Sequence, residues 1–350
     1  MQAIIQKEDI HEIVEGLSLD KEVIAPVLLP DGEALYSPIK RSDRVSLDSS
    51  HIPIMSAKEF FFGSEEELFQ FERTSSQDIK ITPAAEPKDR VFLGIRSCDL
   101  KGVRFLQNFF EKPYNDETVT RKIEKTVFIS LGCVAPAEHC FCVCCDGGPF
   151  LVEGADAQLV DLEDRFFCET FTSRGEEIFS HHQNLLKPAQ AEDWKKKSAT
   201  IEKVDQRFTQ RSYMAVGVKE TSMNTVPEKV WEVLENRCMS CGSCTYVCPT
   251  CSCFNVFDRS TPEGGIRIRT WDSCSYSGFT REVSGHNPRE HTRDRLKRRF
   301  FHKLSYQCLR SNGRIGCVGC GRCVVSCPAF VDMSTFVTLL RQAKSEKTNG

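Results

Sequence analysis

The sequence lacks several features that would place it in common classes of protein. Its 350 residues contain no stretch of 18 or more apolar residues, so we expect no membrane span. It begins MQAIIQKEDIHEIVEGL, which carries acidic residues early and has no uncharged apolar core, unlike a secretory signal. The net charge is −3, which disfavours a nucleic-acid partner because such proteins concentrate basic residues. These absences predict a cytoplasmic protein.

Nucleotide-binding and catalytic motifs are also missing. No glycine-rich phosphate loop follows a predicted strand, and Gly319-x-Gly321 lies inside a cysteine run rather than between a strand and a helix. No nucleophile and base occur at a convincing spacing. The sequence therefore predicts no NAD or FAD site and no catalytic residue in this chain.

Cysteine is the residue present in excess. The chain has 19, an odd number, and is far too long for a small disulfide-stapled domain. Without an export signal, dense cysteine indicates metal ligation before disulfides. At about 150 residues per domain, the length predicts two domains.

Two cysteine runs share one spacing, C-x2-C-x2-C-x3-C-P, which is typical of bacterial ferredoxins that hold [4Fe–4S] clusters. The first run extends from Cys238 to Pro249 and the second from Cys317 to Pro328, with 68 residues between Cys248 and Cys317. Zinc is the alternative, but zinc sites use two separated pairs of cysteines rather than three in series. We therefore predict two [4Fe–4S] clusters. Their eight ligands are Cys238, Cys241, Cys244, Cys248, Cys317, Cys320, Cys323 and Cys327.

The ligands are expected to cross between the runs. In paired ferredoxin runs the fourth cysteine, here Cys248 or Cys327, binds the cluster of the other run. We expect this cysteine to start the next helical segment and to point away from its own loop. Gly242 and Gly321 are expected where a side chain would obstruct the approach of the backbone to the cluster.

The N-terminal half contains a strand–helix–strand pattern. Residues 91–95 and 127–131 are apolar runs, and apolar residues recur at helical spacing from Leu100 to Phe110, with Ser97 or Asp99 as the candidate N-cap. A crossover of this length predicts two adjacent parallel strands. Cys98 and Cys133 would then lie together at the carboxyl edge of the sheet, where α/β proteins bind ligands.

More cysteines follow directly after the second strand. Cys140 and Cys142, together with Cys98 and Cys133, could supply four thiolates to a third [4Fe–4S] cluster. Cys144 and Cys145 are expected outside its ligand set. Buried cysteines that only pack as small hydrophobic residues are the alternative. Asp99 is a possible oxygen ligand as well as a possible N-cap.

The fold class predicted from these patterns is an α/β domain with a mixed or parallel sheet, followed by an α-helical dicluster ferredoxin domain. The first would span residues 1–225 and the second residues 226–350. Residues 157–171 are predicted to form a β-hairpin, with Cys168 in the core.

Two features surround the runs. Segment 286–303 is rich in arginine and lysine, with a predicted helix start at Asn287-Pro288. It is either a solvated basic helix or a positive face that offsets cluster charge or docks an acidic partner. Four further cysteines are expected to line the cluster surroundings and donate weak hydrogen bonds: Cys251, Cys253, Cys274 and Cys308.

The ordered motifs resemble a known family. GIRSCDLKGVRFLQNFF, LGCVAPAEHCFC, the two runs with CPTCSCF, WDSCSYSGF and SGHNPR are together similar to the 4Fe–4S dicluster β subunits of cytoplasmic sulfhydrogenases. The A subunit of anaerobic sulfite reductase and subunits beside heterodisulfide reductases share this pattern. The resemblance covers roughly residues 90–330. Val143-Cys144-Cys145 depart from it, because family members carry glycine and small residues there.

The resemblance implies an electron-transfer subunit. Its partners would be a FAD- and NAD(P)H-binding reductase subunit and a terminal catalytic subunit of hydrogenase, sulfite reductase or heterodisulfide reductase type. The alternative is that the N-terminal cysteines are themselves catalytic and reduce a sulfur compound or a disulfide. Such a site would need an exposed thiolate of low pKa or an open iron position.

Overall fold

The structure, a computed structural model, describes residues 1–40, 44–75 and 78–348. Its strands are β1 (Gln2–Gln6), β2 (Glu22–Leu28), β3 (Ala34–Pro38), β4 (Glu65–Arg73), β5 (Ile79–Pro83), β6 (Arg90–Arg96), β7 (Thr126–Leu131), β8 (Ala157–Asp161), β9 (Arg165–Thr170), β10 (Leu186–Pro188), β11 (Phe254–Thr261) and β12 (Gly264–Trp271). Its helices are α1 (Ile10–Leu17), α2 (Ser97–Glu111), α3 (Glu117–Glu124), α4 (Ser173–Ser180), α5 (Ala191–Val204), α6 (Met214–Ser222), α7 (Glu228–Arg237), α8 (Ser243–Tyr246), α9 (Thr292–Leu304), α10 (Tyr306–Asn312), α11 (Arg322–Val325) and α12 (Met333–Thr348).

The larger sheet is mixed, as predicted. Its eight strands lie in the order β10-β1-β9-β8-β7-β6-β2-β3. The neighbours β2, β6, β7 and β8 pair in parallel, and the outer strands pair antiparallel. The parallel centre of this sheet brings the carboxyl ends of β6 and β7 side by side.

Helices cover both faces of the larger sheet because residues along its central strands alternate in direction. Val91 and Leu93 of β6 pack with α1 and α4, whereas Phe92 packs with α2 and α3 on the other face. All three of these side chains are buried. This two-sided burial explains why β6 and β7 are continuous apolar runs in the sequence.

The predicted strand–helix–strand unit is confirmed, with two differences. The crossover contains a second helix, α3, after α2. The residue at the N-cap of α2 is Arg96, so the prediction of Ser97 or Asp99 as N-cap is wrong. Both of those residues lie inside the first turn, where the Asp99 carboxylate forms an ion pair with Arg322.

The predicted hairpin at residues 157–171 is also present. Strands β8 and β9 pair antiparallel, and Cys168 lies opposite Leu159. The Cys168 side chain is inaccessible to solvent and belongs to the core beneath α1 and α4. Cys168 is therefore a packing residue, as expected.

A second sheet joins the N-terminal and C-terminal parts of the chain. Its order is β11-β12-β4-β5, with every pair antiparallel. Strands β11 and β12 come from the 68-residue insert between the cysteine runs. The α-helical character predicted for the C-terminal domain is therefore not confirmed. Helix α6, which precedes the predicted boundary at residue 225, packs against α9 and α12 beyond it.

Candidate iron–sulfur centres

The first run surrounds a small cavity together with one residue of the second run. This first cavity has a solvent-accessible volume of about 20 Å³. The cysteines that line it are Cys238, Cys241, Cys244 and Cys327. Three of them belong to the first run, and the fourth is the last cysteine of the second run.

The second run surrounds a matching cavity. This second cavity also has a solvent-accessible volume of about 20 Å³. It is lined by Cys317, Cys320 and Cys323 of the second run and by Cys248 and Cys244 of the first. Each run therefore contributes its last cysteine to the cavity of the other run, and Cys244 borders both cavities.

The two runs have the same local structure. In each, a glycine with positive φ, 79° at Gly242 and 76° at Gly321, caps a four-residue helix, α8 or α11. The third cysteine lies in that helix and the fourth follows it, so the expectation that the fourth cysteine starts a helix is wrong. A Cβ on Gly321 would lie 2.3 Å from the His139 carbonyl oxygen, so this glycine also allows close packing against the N-terminal cysteine loop.

Backbone amides point at two cysteine sulfurs of the second run. The Gly319 N–H donates to Cys317 Sγ at 3.4 Å, and the Val331 N–H donates to Cys327 Sγ at 3.2 Å. Hydrogen bonds of this kind stabilise the thiolate over the thiol. The thiolate is the form of cysteine that binds a metal.

Buried cations border the cavities. Arg299 lines both cavities, and Lys303 lines the second. Both belong to α9 and are at most 5% exposed. Burial lowers the pKa of Lys303, but the neighbouring Cys248 and Cys251 sulfurs together outweigh this effect. The pKa of Lys303 therefore lies well above its usual value. This part of the basic segment therefore faces the cavities, although α9 starts at Thr292 rather than at Asn287-Pro288.

The front cysteine group, defined as Cys98, Cys133, Cys140 and Cys142, converges at the carboxyl edge of the larger sheet. Cys98 lies in the first turn of α2, and Cys133 follows β7 by two residues. Burial raises the pKa of Cys142, and the Cys133 and Cys140 sulfurs raise it further. Burial is also the main cause of the raised pKa of Cys98, to which the Cys142 sulfur contributes. The four predicted residues therefore occupy one neighbourhood.

The front cysteine group lies directly against the second run. The Phe141 N–H donates to the Gly319 carbonyl at 2.8 Å, and Cys140 Sγ lies 3.7 Å from the Cys320 carbonyl oxygen. Cys98, Cys140, Cys142 and Cys320 pack in one buried cluster. The N-terminal cysteines thus adjoin the second cavity.

Burial raises the pKa of every thiol in the front cysteine group. The pKa of Cys140 rises to about 11, while Arg96 acts against the rise at Cys133 and lies 4.0 Å from its sulfur. Buried thiols of raised pKa are poor nucleophiles. A bound cation reverses this preference, because ligation by a metal deprotonates the thiol. The donor set therefore fits iron–sulfur ligation better than thiol catalysis.

The Asp99 carboxylate forms an ion pair with Arg322. Its two carboxylate oxygens accept hydrogen bonds from the Arg322 guanidinium at 2.8 and 2.7 Å. The Tyr36 hydroxyl also donates to Asp99 at 2.9 Å. The possible role of Asp99 as an oxygen ligand is not supported by this geometry. Arg322, which the sequence reasoning did not single out, lies between two cysteines of the second run.

The remaining cysteines divide into two kinds. For the first kind, a neighbouring sulfur is the leading cause of a pKa shift: Cys317 raises the pKa of Cys145, Cys248 raises that of Cys251, and Cys274 lowers that of Cys253 to about 7. Cys145 and Cys251 are thus neighbours of Cys317 and Cys248, which line the second cavity. Cys144 accepts from the Ser212 N–H, and Cys308 donates to the His302 carbonyl.

The described residues contain neither a site for a single metal ion nor a membrane-spanning helix. No three His, Cys, Asp or Glu side chains in residues 1–40, 44–75 and 78–348 lie close enough to hold a single metal ion. The cysteines of the two runs instead surround the first and second cavities. Within the same ranges no helix is long and apolar enough to cross a membrane.

Comparison with known proteins agrees with this geometry. Residues 237–331 match the family model of the 4Fe-4S dicluster domain, and this range contains both runs and every cysteine that lines the two cavities. The chain is 27% identical over 298 residues to the Sulfhydrogenase 2 subunit beta of Pyrococcus furiosus, covering 85% of this chain and 86% of that protein. The chain accordingly carries a 4Fe-4S dicluster domain at residues 237–331 and is similar over most of its length to a sulfhydrogenase beta subunit.

Proposed function

We propose that the dicluster domain holds two [4Fe–4S] clusters with crossed ligands. Cys238, Cys241, Cys244 and Cys327 would hold one, and Cys248, Cys317, Cys320 and Cys323 the other. The observation that carries this assignment is the exchange of the fourth cysteine between the first and second cavities. Cys244 also borders the second cavity, but its place in the first run gives it to the first cluster.

A third [4Fe–4S] cluster is proposed at the front cysteine group. Three buried cysteines and the half-buried Cys133 at one sheet edge are more than packing requires, and their thiols would be costly to ionise without a bound cation. Arg96 lies 4.0 Å from the Cys133 sulfur and supplies a positive charge there. Cys144 and Cys145 stay outside this ligand set.

The contacts support a linear order of the three sites. The front cysteine group adjoins the second cavity through Phe141 and Gly319, and the second cavity adjoins the first through Cys244 and Arg299. Cys241, in the first cavity, is the exposed cysteine among those the structure describes. The proposed path therefore runs from the sheet edge through the second and first cavities to the surface at Cys241.

The function proposed for this chain is that of an electron conduit in a multisubunit oxidoreductase. Iron–sulfur clusters supply single-electron carriers whose potentials depend on charge, hydrogen bonds and exposure. Similarity to a sulfhydrogenase beta subunit supports partners of two kinds: a flavin subunit that handles NAD(P)H, and a terminal catalytic subunit. The burial of Cys98, Cys140 and Cys142 opposes the alternative of a catalytic thiol.

The first test is the metal content and the activity of the isolated chain. Protein prepared without oxygen should contain at least about eight irons, with equal acid-labile sulfide, from the two clusters of the dicluster domain. With dithionite as the electron source, the chain should reduce a one-electron acceptor but not sulfite, polysulfide or a disulfide. Stoichiometric zinc with little iron would refute the cluster assignment. Turnover of a sulfur compound by this chain alone would refute the conduit.

Crossed ligation gives a prediction that compares four variants. Cys327→Ser should alter the same electron paramagnetic resonance signal as Cys238→Ser, because both residues line the first cavity. Cys248→Ser should share the altered signal of Cys317→Ser, because both line the second cavity. Cys308→Ser is the control, since its thiol bonds to the His302 carbonyl and should leave both signals unchanged. If Cys327→Ser instead matches Cys317→Ser, each run closes its own cluster.

A further inference from the structure

A lysine of the N-terminal part is buried among the cysteines of the C-terminal part. Lys58 lies in a short 3-10 turn, Ala57–Phe60, and is 2% exposed. The sequence around Lys58 does not predict this position, because Lys58 precedes the first run by nearly two hundred residues. The structure thus inserts one N-terminal charge beside the dicluster domain.

The ammonium group of Lys58 has no carboxylate partner among the described residues. It donates to the Thr245 carbonyl at 2.9 Å and to the Cys251 carbonyl at 3.3 Å, and it lies 4.1 Å from the centre of the Trp271 ring. Burial lowers the pKa of Lys58, and the sulfurs of Cys251, Cys248 and Cys253 oppose that shift. A buried cation needs a nearby negative charge, because burying an unpaired charge is costly.

Cations are distributed unequally between the two cavities. Arg299 borders both, but Lys303 borders the second alone. Lys58 adds a third positive charge, because its ammonium group binds the carbonyls of Thr245 and Cys251 on either side of Cys248, which lines the second cavity. In contrast, the charge of Arg322 is balanced by Asp99. The unbalanced positive charge is therefore concentrated at the second cavity.

We propose that Lys58 raises the reduction potential of the cluster at the second cavity above that of the cluster at the first. This inference rests on the proposed function, since it assumes a cluster at each cavity. Reduction adds one negative charge to a cluster that already carries four thiolates, and a nearby cation stabilises the more negative state. The middle site of the proposed path then holds an electron more readily than the first-cavity site, and a residue of the N-terminal part sets this difference.

The expected effect follows from the loss of one charge. A unit charge in a partly buried site interacts strongly with its neighbours, because the local dielectric constant is far below that of water. Removing the Lys58 charge should lower the equilibrium constant for reduction of the second-cavity cluster at least tenfold, which is about 59 mV for a one-electron couple. The first-cavity cluster should change less, so it serves as the internal reference.

The experiment is an anaerobic redox titration of the full chain followed by electron paramagnetic resonance. The variants are Lys58→Gln, whose amide can still donate to both carbonyls, Lys58→Met, which keeps the length without the charge, and Lys58→Arg, which keeps the charge. Lys7→Met is the matched control, because Lys7 belongs to the N-terminal part and pairs with Asp161 instead. Iron and sulfide are measured for each protein before the titration.

Each result decides the proposal. Support requires a lowered second-cavity potential in Lys58→Gln or Lys58→Met, with wild-type potentials in Lys58→Arg and Lys7→Met. Unchanged potentials in iron-loaded neutral variants would overturn it. If neither neutral variant binds iron while Lys58→Arg does, the charge serves cluster binding rather than the potential, and the proposal is wrong. Failure of the proposed function would appear earlier, as a wild-type chain without the iron of two clusters.

Discussion

Replacing Cys133 with serine is expected to remove about four irons per chain, the content of one [4Fe–4S] cluster, while both signals of the dicluster domain remain. Cys133 follows β7 at the carboxyl edge of the larger sheet, and its sulfur lies 4.0 Å from Arg96. Serine is a poor ligand for iron, so the proposed third cluster would lose one of its four anchors. Iron analysis and the spectra of the reduced protein measure the change.

The matched control for this variant is Cys168→Ser. Cys168 also belongs to the larger sheet and is fully buried, but it packs in the apolar core beneath α1 and α4. Its replacement should cost stability without loss of iron. Equal iron content in Cys133→Ser and the wild type would mean that the front cysteine group only packs, and the conduit would end at the dicluster domain.

Replacing Asp99 with asparagine is expected to destabilise the protein by about 3–5 kcal/mol, because it leaves a buried guanidinium without its counter-charge. Asp99 and Arg322 form a bidentate pair at 2.8 and 2.7 Å, and both side chains are at most 2% exposed. The pair joins the first turn of α2 to the second run. Denaturant unfolding under anaerobic conditions measures the loss, and it should be accompanied by easier loss of the second-run cluster.

Asp146→Asn provides the comparison for an exposed pair. Asp146 pairs with Lys101, which lies in α2 as Asp99 does, but the Asp146 side chain is 86% exposed. Exposed ion pairs contribute about 0–1 kcal/mol, so this variant should differ little from the wild type. If Asp99→Asn is no more destabilising than Asp146→Asn, the buried pair does not hold the two parts of the chain together.

The sequence was most informative where the structure is local. Strands β6 and β7 and helix α2 were predicted because their apolar residues follow the periods of strand and helix. The predicted N-cap of α2 was wrong because the carboxylate of Asp99, a residue type that often caps helices, instead pairs with Arg322, which lies 223 positions away. The C-terminal domain was predicted to be α-helical, and the strands of its insert were missed, since the pairing of β12 with β4 cannot be read from either segment alone.

The two cysteine runs were determined by sequence alone, because the spacing of ligands within one loop depends only on consecutive residues and their turn geometry. The same holds for the parallel pair β6 and β7, whose continuous apolar residues demand burial on both faces. Only the tertiary structure decided which groups meet. It brought Cys140 to the Cys320 carbonyl, Asp99 to Arg322 and Lys58 to the backbone of the first run. Such contacts join residues far apart in the chain, and a long-range pair is set by the packing of whole elements, which no local pattern of residues records.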